Sequence, residues 1–187
     1  MNTIKSIEDR RSIRKFKNED ISDKVVMDIL NCGRLAPSAK NRQPWNFVVL
    51  KGEYKNNIAK IMCDNNNSEQ EKYDKEILKC NNSVNPTARV IKEAPILVLI
   101  FKEKDENWNT GDNLSIGACV ENMCLRAVEL GLGTLWIRDV VYASEKIAEY
   151  IGKNDMELNC ALSIGVPNEN PKARTRKKLS EIVEWRI

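Results

Sequence analysis

The chain has 187 residues, 42% hydrophobic and 30% charged, with 30 basic and 27 acidic side chains for a net charge of +3. That balance fits one globular domain over 1–187 and excludes disordered, collagenous and coiled-coil classes; no apolar run nears the roughly 20 residues of a membrane span. There is no histidine, which excludes Ser-His-Asp and Cys-His catalysis, the HExxH zinc site and any imidazole base.

Ser6-Ile7-Glu8-Asp9 has the form of a helix start, which predicts a short helix with Arg10 to Arg14 on it or just after it. Ser22 is a cap for a second helix, whose Val25, Val26, Ile29 and Leu30 recur at helical spacing until Ala36-Pro37-Ser38 ends it. Asn46 to Lys51 reads as a strand, and Ile58, Ile61 and Met62 as one short helical face. The polar stretch from Cys63 reads as a loop, followed by a weak helix around Tyr73 to Leu78 and a helical turn from Thr87 to Glu93.

Ile96 to Phe101 is a run of β-formers suited to a strand buried on both faces. Asp112 or Asn113 opens the most strongly patterned helix, with Ile116, Cys119, Val120, Met123, Cys124, Ala127 and Val128 on a wide apolar face and a stop at Gly131 and Gly133. Leu135 to Val141 has strand character, a helix capped by Ser144 runs to Gly152, and Leu158 to Val166 is the last strand. The tail is polar and basic but closes on Ile182, Val183, Trp185 and Ile187, which need cover. Together these predict an α+β or α/β fold that pairs as a dimer.

Charge is unevenly placed. Residues 1–17 and 172–187 each carry six basic and two acidic side chains, which leaves the middle of the chain at −5. Two arginine-rich ends on an acidic body favour a local anion site over a general polyanion surface, since the planar guanidinium suits phosphate oxygens. Two solvated basic termini are the bland alternative. The six cysteines form no CxxC pair, and Cys119, Cys124 and Cys160 lie among apolar residues, as expected of small buried hydrophobes in a reducing compartment. The start of the chain lacks the apolar stretch of a secretion signal, and a cytoplasmic location is expected.

Gly131-Leu132-Gly133-Thr134 begins like a dinucleotide fingerprint, but Trp136 stands at the third glycine, and no P-loop is present. Two segments carry more. Arg10-Arg11-Ser12-Ile13-Arg14-Lys15-Phe16 sets three arginines and a hydroxyl within five residues. Ala36 to Trp45 packs two prolines, two amides, a serine and a tryptophan before a strand, a rigid display of neutral donors and acceptors suited to a planar heterocycle.

RRSIRKF, PSAKNRQPW, the long apolar helix before GLGTLW and the late Arg174-Thr175-Arg176 after Val166-Pro167 together resemble the FMN-dependent nitroreductase family, in family order from residue 10 to residue 176. The resemblance implies a homodimer of α+β fold, a mixed sheet flanked by helices, with FMN bound non-covalently between intertwined protomers. It implies that Arg10, Arg11, Ser12 and Arg14 contact the phosphate, ribityl chain and flavin edge, and that Arg174 and Arg176 close on the same phosphate. Pro37, Ser38, Ala39 and Asn41, with Gln43 nearby, would reach the flavin of the opposite subunit. Trp136, Ile137, Arg138 and Asp139 would form the strand end against the isoalloxazine. The chemistry would belong to FMN, with no catalytic side chain and no metal; NADH or NADPH would donate hydride to the flavin, and a nitroaromatic, quinone or similar small molecule would accept it in ping-pong fashion. Lys178 replaces a frequent proline of the family, Arg138-Asp139 replaces a Glu-Gly of some relatives, and residues 63–93 match no family motif. The competing readings are a flavin-binding or storage protein of the same fold and a non-catalytic phosphate- or nucleic-acid-binding module; the acidic middle and modest net charge weigh against nucleic acid. No membrane partner is expected.

Overall fold

The computed structural model describes residues 3–69 and 84–187. Within them the helices are α1 (Thr3–Asp9), α2 (Asp23–Arg34), α3 (Gly52–Glu69), α4 (Val84–Glu93), α5 (Asn109–Glu129) and α6 (Ser144–Ile151); the strands are β1 (Asn46–Leu50), β2 (Ile96–Glu103), β3 (Gly133–Ile137) and β4 (Met156–Gly165). The strands form one sheet in the order β1-β2-β4-β3. All three ladders are antiparallel, and the parallel component is an isolated bridge between Ser12 and Thr134.

The apolar run 96–101 becomes the central strand because both of its faces are covered. Alternate residues Leu97, Leu99 and Phe101 join Ile58, Met62, Ile91, Leu135 and Ile147 on one side, whereas Ile96, Val98 and Ile100 join Ile29, Ile116, Val120, Met123 and Leu162 on the other. The period of two thus divides the core into one layer under α3, α4 and α6 and another under α2 and α5. Helix α2 begins where expected: the Ser22 hydroxyl accepts from the Val25 N–H, with Asp23 in the first turn and Arg34 in the last complementing the helix dipole.

Several predicted boundaries move. Helix α1 does not start at Ser6 but ends at Asp9, with Ser6 buried and its carbonyl accepting from the Arg10 N–H at 3.0 Å. Arg10 to Phe16 follows α1 as extended chain, the second of the two placements expected, because Ile13 donates its N–H to the Thr134 carbonyl at 2.8 Å. Residues 63–69 continue α3 where a loop was expected; the helix predicted at Tyr73 to Leu78 lies outside the described residues. Helix α5 starts three residues before Asp112, whose N–H closes the first turn on the Trp108 carbonyl at 2.8 Å. Its C-cap is Leu130, followed by Gly131 at φ +75°, and Gly133 is already in β3. Strand β3 stops at Ile137 and a 3-10 turn covers Asp139–Ala143, so α6 is entered through that turn and Ser144 makes no side-chain cap.

The three cysteines read as buried hydrophobes are buried. Desolvation pushes the thiols of Cys119 and Cys160 up to about 12 and that of Cys124 up to about 11, so none is poised as a nucleophile. No described helix is long and apolar enough to cross a membrane.

Candidate functional site

The two basic ends of the chain meet. After β4 the chain runs beside the extended N-terminal segment: Lys17 donates its N–H to the Val166 carbonyl at 2.9 Å, Asn168 donates to the Lys15 carbonyl at 2.9 Å, and Phe16 bridges Pro167. The Glu169 carboxylate accepts from the N–H groups of both Arg14 and Lys15. Ile13 and Phe16 are buried, 6% and 7% exposed, which leaves the arginines between and before them turned outward. The result is a cavity of about 200 Å³ lined by Arg10, Arg11, Ser12, Arg14, Pro171, Lys172, Ala173, Arg174 and Arg176. Six of these nine residues are cationic and none is acidic. Arg10 is braced by Glu121 of α5 at 3.4 Å, and Arg11 donates to the Glu8 carbonyl at 2.6 Å; no described carboxylate pairs with the side chains of Arg14, Arg174 or Arg176. A concave cluster of guanidinium groups, most of them without a described carboxylate partner, has the chemistry to attract an anion.

Arg14 also lines a second cavity of about 530 Å³, formed with Pro86, Thr87, Arg89 and Val90 of α4 and with Leu135, Trp136, Ile137, Arg138 and Asp139. The two cavities therefore adjoin at one side chain. The second one opens on the free edge of β3. A strand residue sends its N–H and C=O to the same side, and Thr134 uses its carbonyl toward Ile13, so Trp136, two residues on, presents its own main-chain N–H and C=O to that open edge. At the end of the strand the Asp139 carboxylate accepts from the Thr87 hydroxyl at 2.8 Å. Arg138 donates to the Tyr142 hydroxyl at 2.9 Å and lies over the same ring, 5.4 Å from its centroid.

The segment from Pro37 to Gln43 lines neither cavity. Pro37, Ser38, Ala39, Asn41 and Gln43 sit instead against the start of α5, where Ala39 donates its N–H to the Ser115 hydroxyl at 3.3 Å and Gln43 donates to the Ser38 hydroxyl at 3.0 Å. Lys40, Asn41 and Gln43 all have positive φ, at 49°, 56° and 50°. Such backbone costs on the order of 1–2 kcal/mol per non-glycine residue and persists only where its surroundings hold it. What holds it was not legible in the sequence. Arg42 donates to both carboxylate oxygens of Asp112, at 3.1 and 3.3 Å, and to Asp105 at 3.3 Å, while its guanidinium stacks 4.7 Å from the Trp108 ring centroid. Asp112, read from the sequence as a helix start, is fully buried and serves as the anchor of this loop. Asp112→Ala is therefore expected to lower stability by about 1–2 kcal/mol, seen as a reduced urea midpoint at unchanged slope.

The structure thus gathers Arg10, Arg11, Ser12, Arg14, Arg174 and Arg176 in one cavity and sets Trp136, Ile137, Arg138 and Asp139 in the next. Thr87, Arg89 and Val90 fall in the 63–93 segment, which the family resemblance associates with the substrate pocket but which carries no motif to single them out; Lys172 was counted only as charge.

The chain is similar to known proteins over nearly its whole length. The Nitroreductase family model matches residues 7–166. YfhC of Bacillus subtilis, whose name places it among NAD(P)H nitroreductases, is 28% identical over 179 residues, covering 94% of this chain and 89% of that protein. A BluB-like flavoprotein of Clostridium difficile is 27% identical with a TM-score of 0.81, each chain covered at 100%. A Desulfovibrio desulfuricans protein solved in complex with FMN is 23% identical with a TM-score of 0.80, covering 100% of this chain and 98% of that one.

Proposed function

The chain belongs to the nitroreductase family, and from that premise we propose that it is a cytoplasmic FMN-dependent oxidoreductase carrying electrons from NADH or NADPH to a small-molecule acceptor. The observation that carries this reading is the cavity in which Arg10, Arg11, Arg14, Lys172, Arg174 and Arg176 converge from opposite ends of the sequence, next to a larger, partly apolar cavity along a strand edge. A mononucleotide with a flat heterocycle fits that pair of sites: phosphate in the first, ring system in the second. When bound, FMN supplies the two-electron carrier chemistry that no side chain here can.

The protein's own part is binding and electrostatics. Arg10, Arg11, Ser12, Arg14, Arg174 and Arg176 would hold the phosphate and ribityl oxygens. The Trp136 main-chain N–H and C=O would meet polar atoms of the ring edge, and the Arg14 guanidinium favours negative charge developing there. No imidazole is required, because the protons of the net reaction come from the donor and solvent. For a nitro acceptor that reaction oxidises one dihydronicotinamide and takes up one proton; one N–O bond breaks, giving a nitroso group and water. Donor and acceptor would occupy the same face in turn, which yields ping-pong kinetics.

A homodimer is part of the proposal. Leu179, Ile182, Trp185 and Ile187 are 61% exposed or more, as are Ile4, Met27 and Leu114, and such a set of uncovered apolar side chains favours a second copy. The loop residues Pro37, Ser38, Ala39, Asn41 and Gln43, which line neither of the two cavities described, would then face the partner's flavin.

The test is spectroscopic. The purified protein is expected to be yellow, to bleach on anaerobic addition of NADH or NADPH, and to recolour with an acceptor. A preparation that binds FMN but is reduced by neither nicotinamide would support a storage role instead, and a colourless one that ignores FMN but shifts DNA would support the binding module.

A further inference from the structure

The second cavity carries more positive charge than a flavin ring explains. Among the described residues its lining holds three guanidinium groups, Arg14, Arg89 and Arg138, against the one carboxylate of Asp139. That carboxylate already accepts the Thr87 hydroxyl. Arg138 is held in place by a neutral phenol and an aromatic face, at 2.9 Å and 5.4 Å. Neither neutralises it, and no described carboxylate lies within ion-pair distance of it. Among the described residues Arg89 pairs with Glu93, one helical turn away at 3.8 Å with its own side chain 74% exposed, an arrangement that contributes little. The phosphate of a mononucleotide does not account for these two arginines, because the adjoining cavity meets it with six cations. The remaining side chains of the wall are apolar or aromatic: Pro86, Val90, Leu135, Trp136 and Ile137.

An apolar wall with surplus guanidinium charge selects a flat ligand that bears an anionic group. The geometry points to an acceptor subsite for a carboxylate-bearing planar aromatic, with Arg138 as the primary carboxylate contact and Arg89 as its support. This deepens the oxidoreductase reading and rests on it. The phosphates of the nicotinamide donor are the other source of such an anion, and the experiment separates the two.

The holoprotein is first bleached anaerobically with NADH and NADPH, which tests the oxidoreductase reading by itself. Steady-state kcat/KM is then measured for 4-nitrobenzoate and for its uncharged isostere 4-nitrobenzamide at saturating donor, and for each donor at saturating acceptor. The reaction scored is nitro to nitroso: two electrons come from the dihydronicotinamide, one proton from solvent, and one oxygen leaves as water. The wild type is expected to favour the carboxylate by about tenfold or more, the range of a charge-assisted hydrogen bond. Arg138→Gln should bring that ratio toward one, Arg138→Lys should restore most of it, and Arg89→Gln should lower it less. In the wild type, added salt should lower kcat/KM for 4-nitrobenzoate more than for the amide, a readout that needs no variant to fold. A wild-type ratio near one overturns the proposal, as does a flavin that bleaches but reduces neither acceptor. A loss shared equally by both acceptors would assign Arg138 to the flavin, and a change confined to the donor's kcat/KM would assign the cations to the nicotinamide phosphates; either result overturns it. Failure to bleach at all sinks the oxidoreductase reading, and this proposal with it.

Discussion

Arg14→Ala is expected to weaken FMN binding by about ten- to a hundredfold, the loss that follows from removing one charge-assisted contact to a phosphate. Arg14 is the single residue that lines both cavities, so its guanidinium sits where phosphate and ring system would join. Its main-chain N–H is already used, donating to Glu169, and its backbone is therefore held in place when the side chain is cut back. The loss should appear in affinity rather than in folding. Lys51→Ala is the control. That ammonium donates to the Ile21 carbonyl at 3.1 Å and to Asp23 at 2.8 Å, where it ties the end of β1 to the start of α2 and lines neither cavity. Fluorescence titration of the apoproteins with FMN measures both. Equal affinity in the two variants would refute the assignment of the phosphate to this cavity.

Composition makes the two basic ends legible but leaves an anion site and two solvated termini both open; their convergence on one phosphate is what the family resemblance implies. Arginine clusters at 10–14 and 174–176 sit on either side of a chain whose middle is acidic. Periodicity likewise exposed β2 and α5, since a run of β-formers and a wide apolar stripe state their own burial. What failed to show was any role set by a partner distant in sequence. Asp112 looks like a helix-opening residue from its neighbours alone; that it anchors the strained loop through Arg42, 70 residues earlier, depends on the fold bringing the two together. Thr87 and Arg89 belong to the wall of the second cavity only because α4 packs near the end of β3. The same limit applies to Arg10 to Phe16. Local pattern leaves it on a short helix or just after one; it lies just after, because the main-chain bonds of residues 13–17 go to Thr134, Val166 and Asn168, and an extended backbone is the one that reaches them.

That dependence gives the sharpest mechanical expectation. Gly133 and Gly165 face one another in the β3–β4 ladder, and each lies under an anchor of the arginine segment. A Cβ built on Gly165 would stand 2.5 Å from the Phe16 ring and 2.8 Å from Pro95, and one on Gly133 would stand 2.6 Å from Ile13. Gly133, read from the sequence as part of a helix stop, is thus required for close approach. Gly165→Ala cannot be relieved by turning a flexible tip, because Phe16 is buried and a proline ring closes the other side. The side chain or its backbone must lift, at a cost of about 3 kcal/mol by the usual penalty of overpacking. Lifting Phe16 strains its bridge to Pro167 and the Lys17–Val166 bond, the clips that bring the two basic segments together. Gly165→Ala should therefore lower the urea midpoint and also weaken FMN binding, although position 165 lines neither cavity. Gly152→Ala serves for comparison: its φ of +75° makes it costly for folding, but nothing lies within 4 Å of its would-be Cβ, so stability should fall with FMN affinity retained. If Gly165→Ala destabilises the protein yet binds FMN as tightly as the wild type, the seating of Ile13 and Phe16 is not what sets the arginines around the phosphate.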